Sequence, residues 1–209
     1  INKELSQGRQ SMLPERDNCG FGLLVDTKSP PTHRLVTQAL TGLARLTYRG
    51  AIGEDGLAGD GCGIMLQIDH NFFRQKASEA GLELPERFAV GMCFLDPRYV
   101  AKQQRCLHKR IQQQGFSVAG WRDVSLNLKA LSSYLTNDRP VFAQIFIPLP
   151  ADYDASLIEK KLFIAQKKTE WDLRNDPLFT ICSLSALRIT YKALVLPANL
   201  PVFFPDLQN

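Results

Sequence analysis

Apolar residues along most of the chain recur either every three to four positions or at every second position, which predicts a mixture of helices and strands. Those between His33 and Tyr48 fall on one face of a helix. A second long helix follows Pro97 and ends near Gly115, and a third follows Asp154, whose carboxylate can cap it. Short apolar runs predict strands at residues 19–26, 64–68, 87–95, 116–124, 141–149, 179–185 and 189–196.

The order of these elements indicates the fold class. Strands occur in adjacent pairs with long helices between the pairs, an order typical of α+β proteins in which helices are layered on mostly antiparallel sheets. The last two strands are expected to pair with each other through the turn "SLSAL". A chain of 209 residues can form one large domain and buries enough surface to fold without disulfides.

Composition and charge exclude several kinds of protein. The five cysteines have no CxxC spacing and the three histidines are scattered, so neither a disulfide framework nor a metal site is predicted. The densest basic spots, Cys106–Arg110 and Gln166–Lys168, fall on predicted helices and are interpreted as solvated faces rather than a nucleic-acid site. No apolar run approaches the roughly eighteen residues of a membrane span, and we expect a cytoplasmic protein with reduced thiols.

Cys19 is the first candidate for chemistry, because it stands between a polar leader and the first predicted strand. At the start of a mature chain, its own α-amine, with an ordinary pKa of about 7.7–8.0, can act as general base for its thiol. The scattered histidines offer no obvious Cys–His pair instead. The alternative, from the residue alone, is a small buried cysteine at the start of a strand.

A glycine-rich segment from Tyr48 to Gly63, "YRGAIGEDGLAGDGCG", is the second candidate. It matches neither a P-loop nor a dinucleotide fingerprint, and it forms either a backbone cradle for a ligand or a plain connection between helix and strand. Arg49, at its entrance, either binds a substrate carboxylate or caps the preceding helix.

Other polar and sulfur-containing residues are interpreted as structural. The motif "GWRDV" predicts a tryptophan anchor with a local pair between Arg122 and Asp123. The four cysteines after Cys19 lie in apolar or glycine-rich contexts and are predicted to be structural; they are Cys62, Cys93, Cys106 and Cys182.

Several segments in series resemble the beginning of the large subunit of glutamate synthases. They are "RDNCGFGLLVD", "LARLTYRGA", "DGLAGDGCGIMLQ", "FAVGMCFL", "GWRDV", "KLFIAQKK" and "CSLSALRITYKALVLPANLPVFFPDL". The resemblance extends from about Arg16 to the end and implies a class II glutamine amidotransferase, or glutaminase, domain. Such a domain has the four-layer α-β-β-α sandwich of N-terminal-nucleophile hydrolases, of which this chain would form part.

The resemblance also implies a division of the chain and a chemistry. Residues 1–18 would be a propeptide-like leader, cleaved between Asn18 and Cys19, and residues 19–209 the N-terminal portion of the glutaminase domain. Cys19 would attack the amide of L-glutamine, form a thioester and release ammonia, after which water releases glutamate. Arg49 would help to order the glutamine pocket, although Tyr48 stands where the family often has histidine.

In the complete enzyme, the resemblance implies that ammonia reacts with 2-oxoglutarate at a site with reduced FMN. An iron–sulfur cluster is expected there too, whereas no cofactor is expected in the glutaminase domain. The implied partners are the remaining domains of the same subunit and either a small electron-transfer subunit or ferredoxin.

Two departures from the family lead us to expect an inactive isolated chain. The sequence lacks the Asn-Gly pair that forms the family's oxyanion hole, and the bond to Asn18 converts the amine of Cys19 into an amide. One alternative is therefore a non-catalytic structural or regulatory relative that retains the scaffold. Another, based on net charge, is a basic module that binds nucleic acid or acidic partners.

Overall fold

The computed structural model describes residues 20–28, 32–47, 59–136 and 139–208. Its helices are α1 (His33–Ala44), α2 (His70–Glu79), α3 (Val100–Gln112), α4 (Ser133–Thr136), α5 (Ala155–Asp172) and α6 (Leu200–Phe203). Its strands are β1 (Cys62–Gln67), β2 (Phe88–Leu95), β3 (Gly120–Asp123), β4 (Val141–Pro148), β5 (Thr180–Ser185) and β6 (Arg188–Ala193). Short 3₁₀ helices occupy Leu128–Ala130, Pro197–Asn199 and Pro205–Gln208.

The strands of the described residues form two sheets, and every strand pair in them is antiparallel. The larger sheet has the order β3-β4-β2-β5, and the smaller one pairs β1 with β6. This confirms the predicted α+β class with antiparallel sheets.

Strand β2, in the larger sheet, is buried on both faces. Its side chains alternate between two separate cores: Phe88 and Met92 join the first, whereas Ala89, Cys93 and Leu95 join the second. Because successive side chains of a strand point to opposite faces, this sheet must be covered on both sides.

Helices α3 and α5 cover the second core. Leu107 of α3 and Leu162 of α5 are fully buried against the sheet. Asp154 caps α5 as predicted, since its Oδ1 accepts a hydrogen bond of 2.7 Å from the backbone N–H of Leu157.

The first core lies between the two sheets and also includes α2 and the C-terminal segment. Ile64 of β1, Ile189 of β6 and Phe73 of α2 are buried there, together with the neighbouring rings of Phe203 and Phe204. The described residues therefore stack as a helix layer, a four-stranded sheet, and a third layer that contains the two-stranded sheet.

The prediction that β5 and β6 pair with each other is wrong. Strand β5 pairs with β2, and β6 pairs with β1, so the chain passes from one sheet to the other at residues 186–187. The crossing is held by Ser185, whose hydroxyl accepts hydrogen bonds from the backbone N–H groups of Leu187 and Arg188 while it donates to Glu159. Strands β5 and β6 are therefore adjacent in sequence but belong to two different layers.

The strand predicted at residues 19–26 is also not observed in its described part. Residues 20–26 have no regular secondary structure, and no described strand pairs with them. Phe21 is 93% exposed and Leu23 is 83% exposed. A strand requires a hydrogen-bonding neighbour, and alternation of apolar residues cannot supply one.

A buried polar network ties the C-terminal segment to both sheets. The Arg122 guanidinium donates to Gln144 Oε1 over 2.7 Å and to Asp206 Oδ2. Tyr191 donates its hydroxyl to the same Asp206 oxygen over 3.0 Å and accepts from Gln144 Nε2 over 3.1 Å. The predicted pair of Arg122 with Asp123 is therefore wrong, because the burial of Arg122 within the first core places it against Asp206 instead.

We predict that Asp206→Asn lowers the free energy of unfolding by about 3–5 kcal/mol, because it leaves the buried Arg122 charge without its partner. Urea unfolding followed by tryptophan fluorescence measures this change. Asp123→Asn is the matched control, since Asp123 is exposed and should change stability by less than about 0.5 kcal/mol. Equal effects of the two substitutions would contradict the assignment.

Candidate active site

The three residues predicted to carry the chemistry, Asn18, Cys19 and Arg49, lie outside the described residues. The structure does describe what flanks them in sequence. Residues 20–28 follow Cys19 directly, α1 leads toward Arg49, and residues 59–63 are the end of the glycine-rich segment, where it enters β1.

An open groove of about 460 Å³ lies between residues 23–28 and α1. Its walls are the residues 23–28 themselves and the side chains of Leu35 and Gln38 from α1. Asp26 lines the groove, and its Oδ1 accepts a hydrogen bond of 2.9 Å from the backbone N–H of Lys28. The groove is therefore lined by both apolar and polar residues, and several of them follow Cys19 closely in the sequence.

The described end of the glycine-rich segment has a structural explanation. Gly61 has a φ of +101°, a conformation that favours glycine. A Cβ on Gly63 would lie 2.8 Å from the carbonyl oxygen of Tyr191 and 2.9 Å from Lys192 Cβ, so glycine allows β1 to approach β6 closely. At these two positions glycine serves the packing of the small sheet.

The four described cysteines have thiols that resist ionisation. Burial raises the pKa of Cys62 to about 11 and that of Cys182 to about 12. Burial also raises the pKa of Cys93 well above its ordinary value, and that of Cys106, where Asp172 adds a further increase. Since the thiolate is the nucleophile, none of these four is suited to attack a substrate at neutral pH, which agrees with their predicted structural role.

Two histidines make contacts that connect structural elements. His33 Nε2 lies 3.1 Å from the carbonyl oxygen of Leu207, and the ring of His70 packs edge-on against Phe88 with centroids 4.9 Å apart. Among the described residues, no group of three or more His, Cys, Asp or Glu side chains is arranged to hold a metal ion. Within the same residues, no helix is both long and apolar enough to cross a membrane.

The pair of Arg122 with Asp206 was not predicted from the sequence. A signal was present, because Asp206 is a single acid within the otherwise apolar run "LPVFFPDL". A charge in such a run is either exposed or paired with a buried opposite charge. Its partner, however, lies 84 residues away in sequence, and only the fold identifies it.

Comparison with known families gives one match over most of the chain. Residues 19–209 match the glutamine amidotransferases class-II family. The match begins at Cys19 and runs to the last residue.

Curated relatives include glutamate synthases from bacteria and fungi. The chain is 34% identical over 199 residues to the glutamate synthase [NADPH] large chain of Bacillus subtilis (strain 168), covering 93% of this chain and 13% of that protein. It is 31% identical over 206 residues to ferredoxin-dependent glutamate synthase 2 of Synechocystis sp., covering 97% and 13%. It is 29% identical over 209 residues to the glutamate synthase [NADH] of Saccharomyces cerevisiae, covering 93% and 10%.

The chain therefore spans about an eighth of the length of the first two of these relatives, which have 13% of their length covered. The family match, by contrast, extends over nearly all of this chain. Its α+β fold with antiparallel sheets is in keeping with the N-terminal-nucleophile hydrolase architecture expected for that family. The chain belongs to the class-II glutamine amidotransferases.

Proposed function

We propose that this chain is the glutaminase part of a glutamate synthase and that Cys19 is its nucleophile. The observation that carries the proposal is the start of the family match at Cys19, with residues 1–18 outside it. The raised pKa values of the other four cysteines support it, because they leave Cys19 as the candidate for a reactive thiol.

The proposed reaction begins once the bond between Asn18 and Cys19 has been cleaved. The freed α-amine takes the proton of the Cys19 thiol, and the sulfur attacks the side-chain carboxamide carbon of L-glutamine. The tetrahedral intermediate collapses to a thioester as the C–N bond breaks, and the amine returns the proton so that ammonia leaves. Water then attacks the thioester carbon, which releases glutamate and restores the thiol.

This proposal assigns roles to the other candidates. Residues 1–18 form a removable leader, and residues 19–209 form the N-terminal portion of the glutaminase domain. Arg49 helps to order the glutamine pocket, since a guanidinium can donate two parallel hydrogen bonds to a carboxylate.

The activity of the whole protein belongs to the same proposal. Ammonia passes to a second site in the remaining domains, where 2-oxoglutarate becomes glutamate at the expense of reduced FMN, with an iron–sulfur cluster in the electron path. The electrons come from a small electron-transfer subunit or from ferredoxin, and the protein works in the cytoplasm. The names of the relatives support this assignment, since they comprise NADPH-, NADH- and ferredoxin-dependent glutamate synthases.

We predict that Cys19→Ala in the natural protein containing this chain lowers glutamine hydrolysis by about a thousandfold or more, because the substitution removes the nucleophile. Release of ammonia and glutamate measures the rate. Cys106→Ala is the control and should retain the rate. Activity in the Cys19→Ala protein would contradict the proposal. The wild-type protein should also be purified from its own cell; if it is inactive there and its Asn18–Cys19 bond is intact, the chain is better explained as a non-catalytic relative.

We predict that Cys19, freed of its leader, is the fastest thiol to react with iodoacetamide at pH 7.5. Between pH 7 and pH 9, alkylation of Cys62 and Cys182 should be slow and rise about tenfold per pH unit, since both pKa values, about 11 and about 12, lie above this range. Peptide mass spectrometry separates the five sites. Equal reactivity of Cys19 and Cys62 at pH 7.5 would argue against an activated thiol.

We predict that Arg49→Lys lowers kcat/KM for glutamine about 10- to 100-fold, mainly through KM, because it removes a bidentate charged hydrogen bond worth about 1.5–3 kcal/mol. Arg45→Lys is the matched control, because Arg45 is exposed at the C-cap of α1. If Arg49 only caps the helix, Arg49→Lys should instead leave KM unchanged, and the thermal midpoint of Arg49→Ala should fall.

A further inference from the structure

The outer surface of α3 and α5 forms one continuous face, which we call the helix-layer surface. The two helices run antiparallel and are joined by charged and polar hydrogen bonds. Arg110 of α3 donates to both carboxylate oxygens of Asp172 in α5, over 2.7 and 2.8 Å, and Gln103 donates to Asp176 over 3.1 Å. Since both helices also pack on the buried second core, this face is held rigidly.

The helix-layer surface is strongly basic. The sequence of α3, "VAKQQRCLHKRIQ", has four Lys or Arg residues and no Asp or Glu, and that of α5, "ASLIEKKLFIAQKKTEWD", has four against three. Eight basic residues against three acidic ones give an excess of five, which exceeds the net charge of +4 for the whole chain. Positive charge that is spread out in sequence is therefore concentrated in this one layer.

The three carboxylates of α5 are already engaged by neighbouring donors, and Asp176, just beyond α5, accepts from Lys102 and Gln103. Asp172 pairs with Arg110, Glu170 accepts from Lys167 over 2.7 Å, and Glu159 accepts from the hydroxyl of Ser185. The surrounding basic residues Lys168 and Arg105 are exposed. The layer therefore presents a net positive field to solvent.

Two aromatic side chains of α5 are exposed to solvent. Phe163 is 58% exposed and Trp171 is 69% exposed. They are eight residues apart, which places them about 12 Å apart along one side of α5. Each ring is in contact with the cation of a neighbouring side chain. Lys167 Nζ lies 5.7 Å from the ring centroid of Phe163, and the Arg174 guanidinium lies 4.7 Å from the ring centroid of Trp171.

The Arg174 guanidinium is itself fixed, because it donates a hydrogen bond of 2.8 Å to the backbone carbonyl of Trp171. The cations stabilise the two rings in exposed positions by interacting with their π systems. Large apolar groups that are held in solvent beside positive charge form a surface suited to a partner that is both apolar and acidic.

The chemistry of this surface favours a protein over a nucleic acid. A nucleobase stacks on an open ring face, but one face of each ring here is taken by a cation. Exposed Trp, Phe and Arg are the residues enriched in the centres of protein interfaces.

We propose that the helix-layer surface is a docking site for an acidic protein segment. The partner places apolar side chains on Phe163 and Trp171 and carboxylates against Lys167, Lys168 and the basic residues of α3. This inference does not depend on the proposed reaction, and it replaces the interpretation of the Gln166–Lys168 and Cys106–Arg110 spots as merely solvated helix faces.

The test measures binding of the full chain to three fluorescently labelled probes by anisotropy, at low and at roughly physiological salt. The probes are a random copolymer of glutamate and tyrosine, poly-glutamate, and single-stranded oligo(dT). We expect the glutamate–tyrosine copolymer to bind most tightly, the double variant Phe163→Ala/Trp171→Ala to weaken that binding by about tenfold or more, and Lys168→Glu to weaken it most at low salt.

Matched controls come from the outer face of the two-stranded sheet. Met65→Ala removes a 61% exposed apolar side chain, and Arg188→Glu reverses an exposed charge, both outside the helix layer. Neither should change binding. Tighter binding to oligo(dT), equal losses in the control variants, or no binding of the copolymer by wild-type chain would each overturn the proposal. Far-UV circular dichroism establishes that every variant compared is folded.

Discussion

Strands β2 and β4 are apolar on both faces, so the sheet they form must be shielded from water on both sides. Helices α3 and α5 cover one face, and the small sheet, α2 and the C-terminal segment cover the other. The fit is close on the helix side. A Cβ on Gly91, in the middle of β2, would lie 2.6 Å from Ile145 Cγ2 and 2.7 Å from Leu184 Cδ1, so glycine at this position lets its strand neighbours pack.

The polar network within the first core complements this apolar arrangement. Arg122, Gln144, Tyr191 and Asp206 come from β3, β4, β6 and the last 3₁₀ helix, and each hydrogen bond joins two different elements. Burial, and then the nearby charge of Asp206, raises the pKa of Tyr191, so that its hydroxyl remains a donor. Because buried polar groups must be paired, the network is satisfied only when the C-terminal segment lies against both sheets in one position.

Local patterns were sufficient to predict elements whose signals lie close together in sequence. The Asp154 cap and the helix after it, and the apolar runs of β2 and β4, are examples. Strand pairing could not be predicted in the same way, because β5 pairs with β2 in the buried sheet rather than with β6, its neighbour in sequence. The Arg122–Asp206 pair and the close approach at Gly63 likewise join residues far apart in sequence. Of the predicted site, Cys19 and Arg49 remain predictions, since they rest on motif and chemistry and lie outside the described residues.

The proposed chemistry requires no separate catalytic base. An N-terminal cysteine supplies both the nucleophile and, through its own α-amine, the base, so its activation requires cleavage of one peptide bond rather than a second side chain held nearby. The histidines are then free for packing, as His33 at the carbonyl of Leu207 and His70 against Phe88 illustrate. Burial raises the pKa of Cys62, Cys93 and Cys182, so these thiols stay protonated at neutral pH. Reactivity in this protein would thus depend on processing at Asn18–Cys19, while the layered core fixes the elements that border the glycine-rich segment.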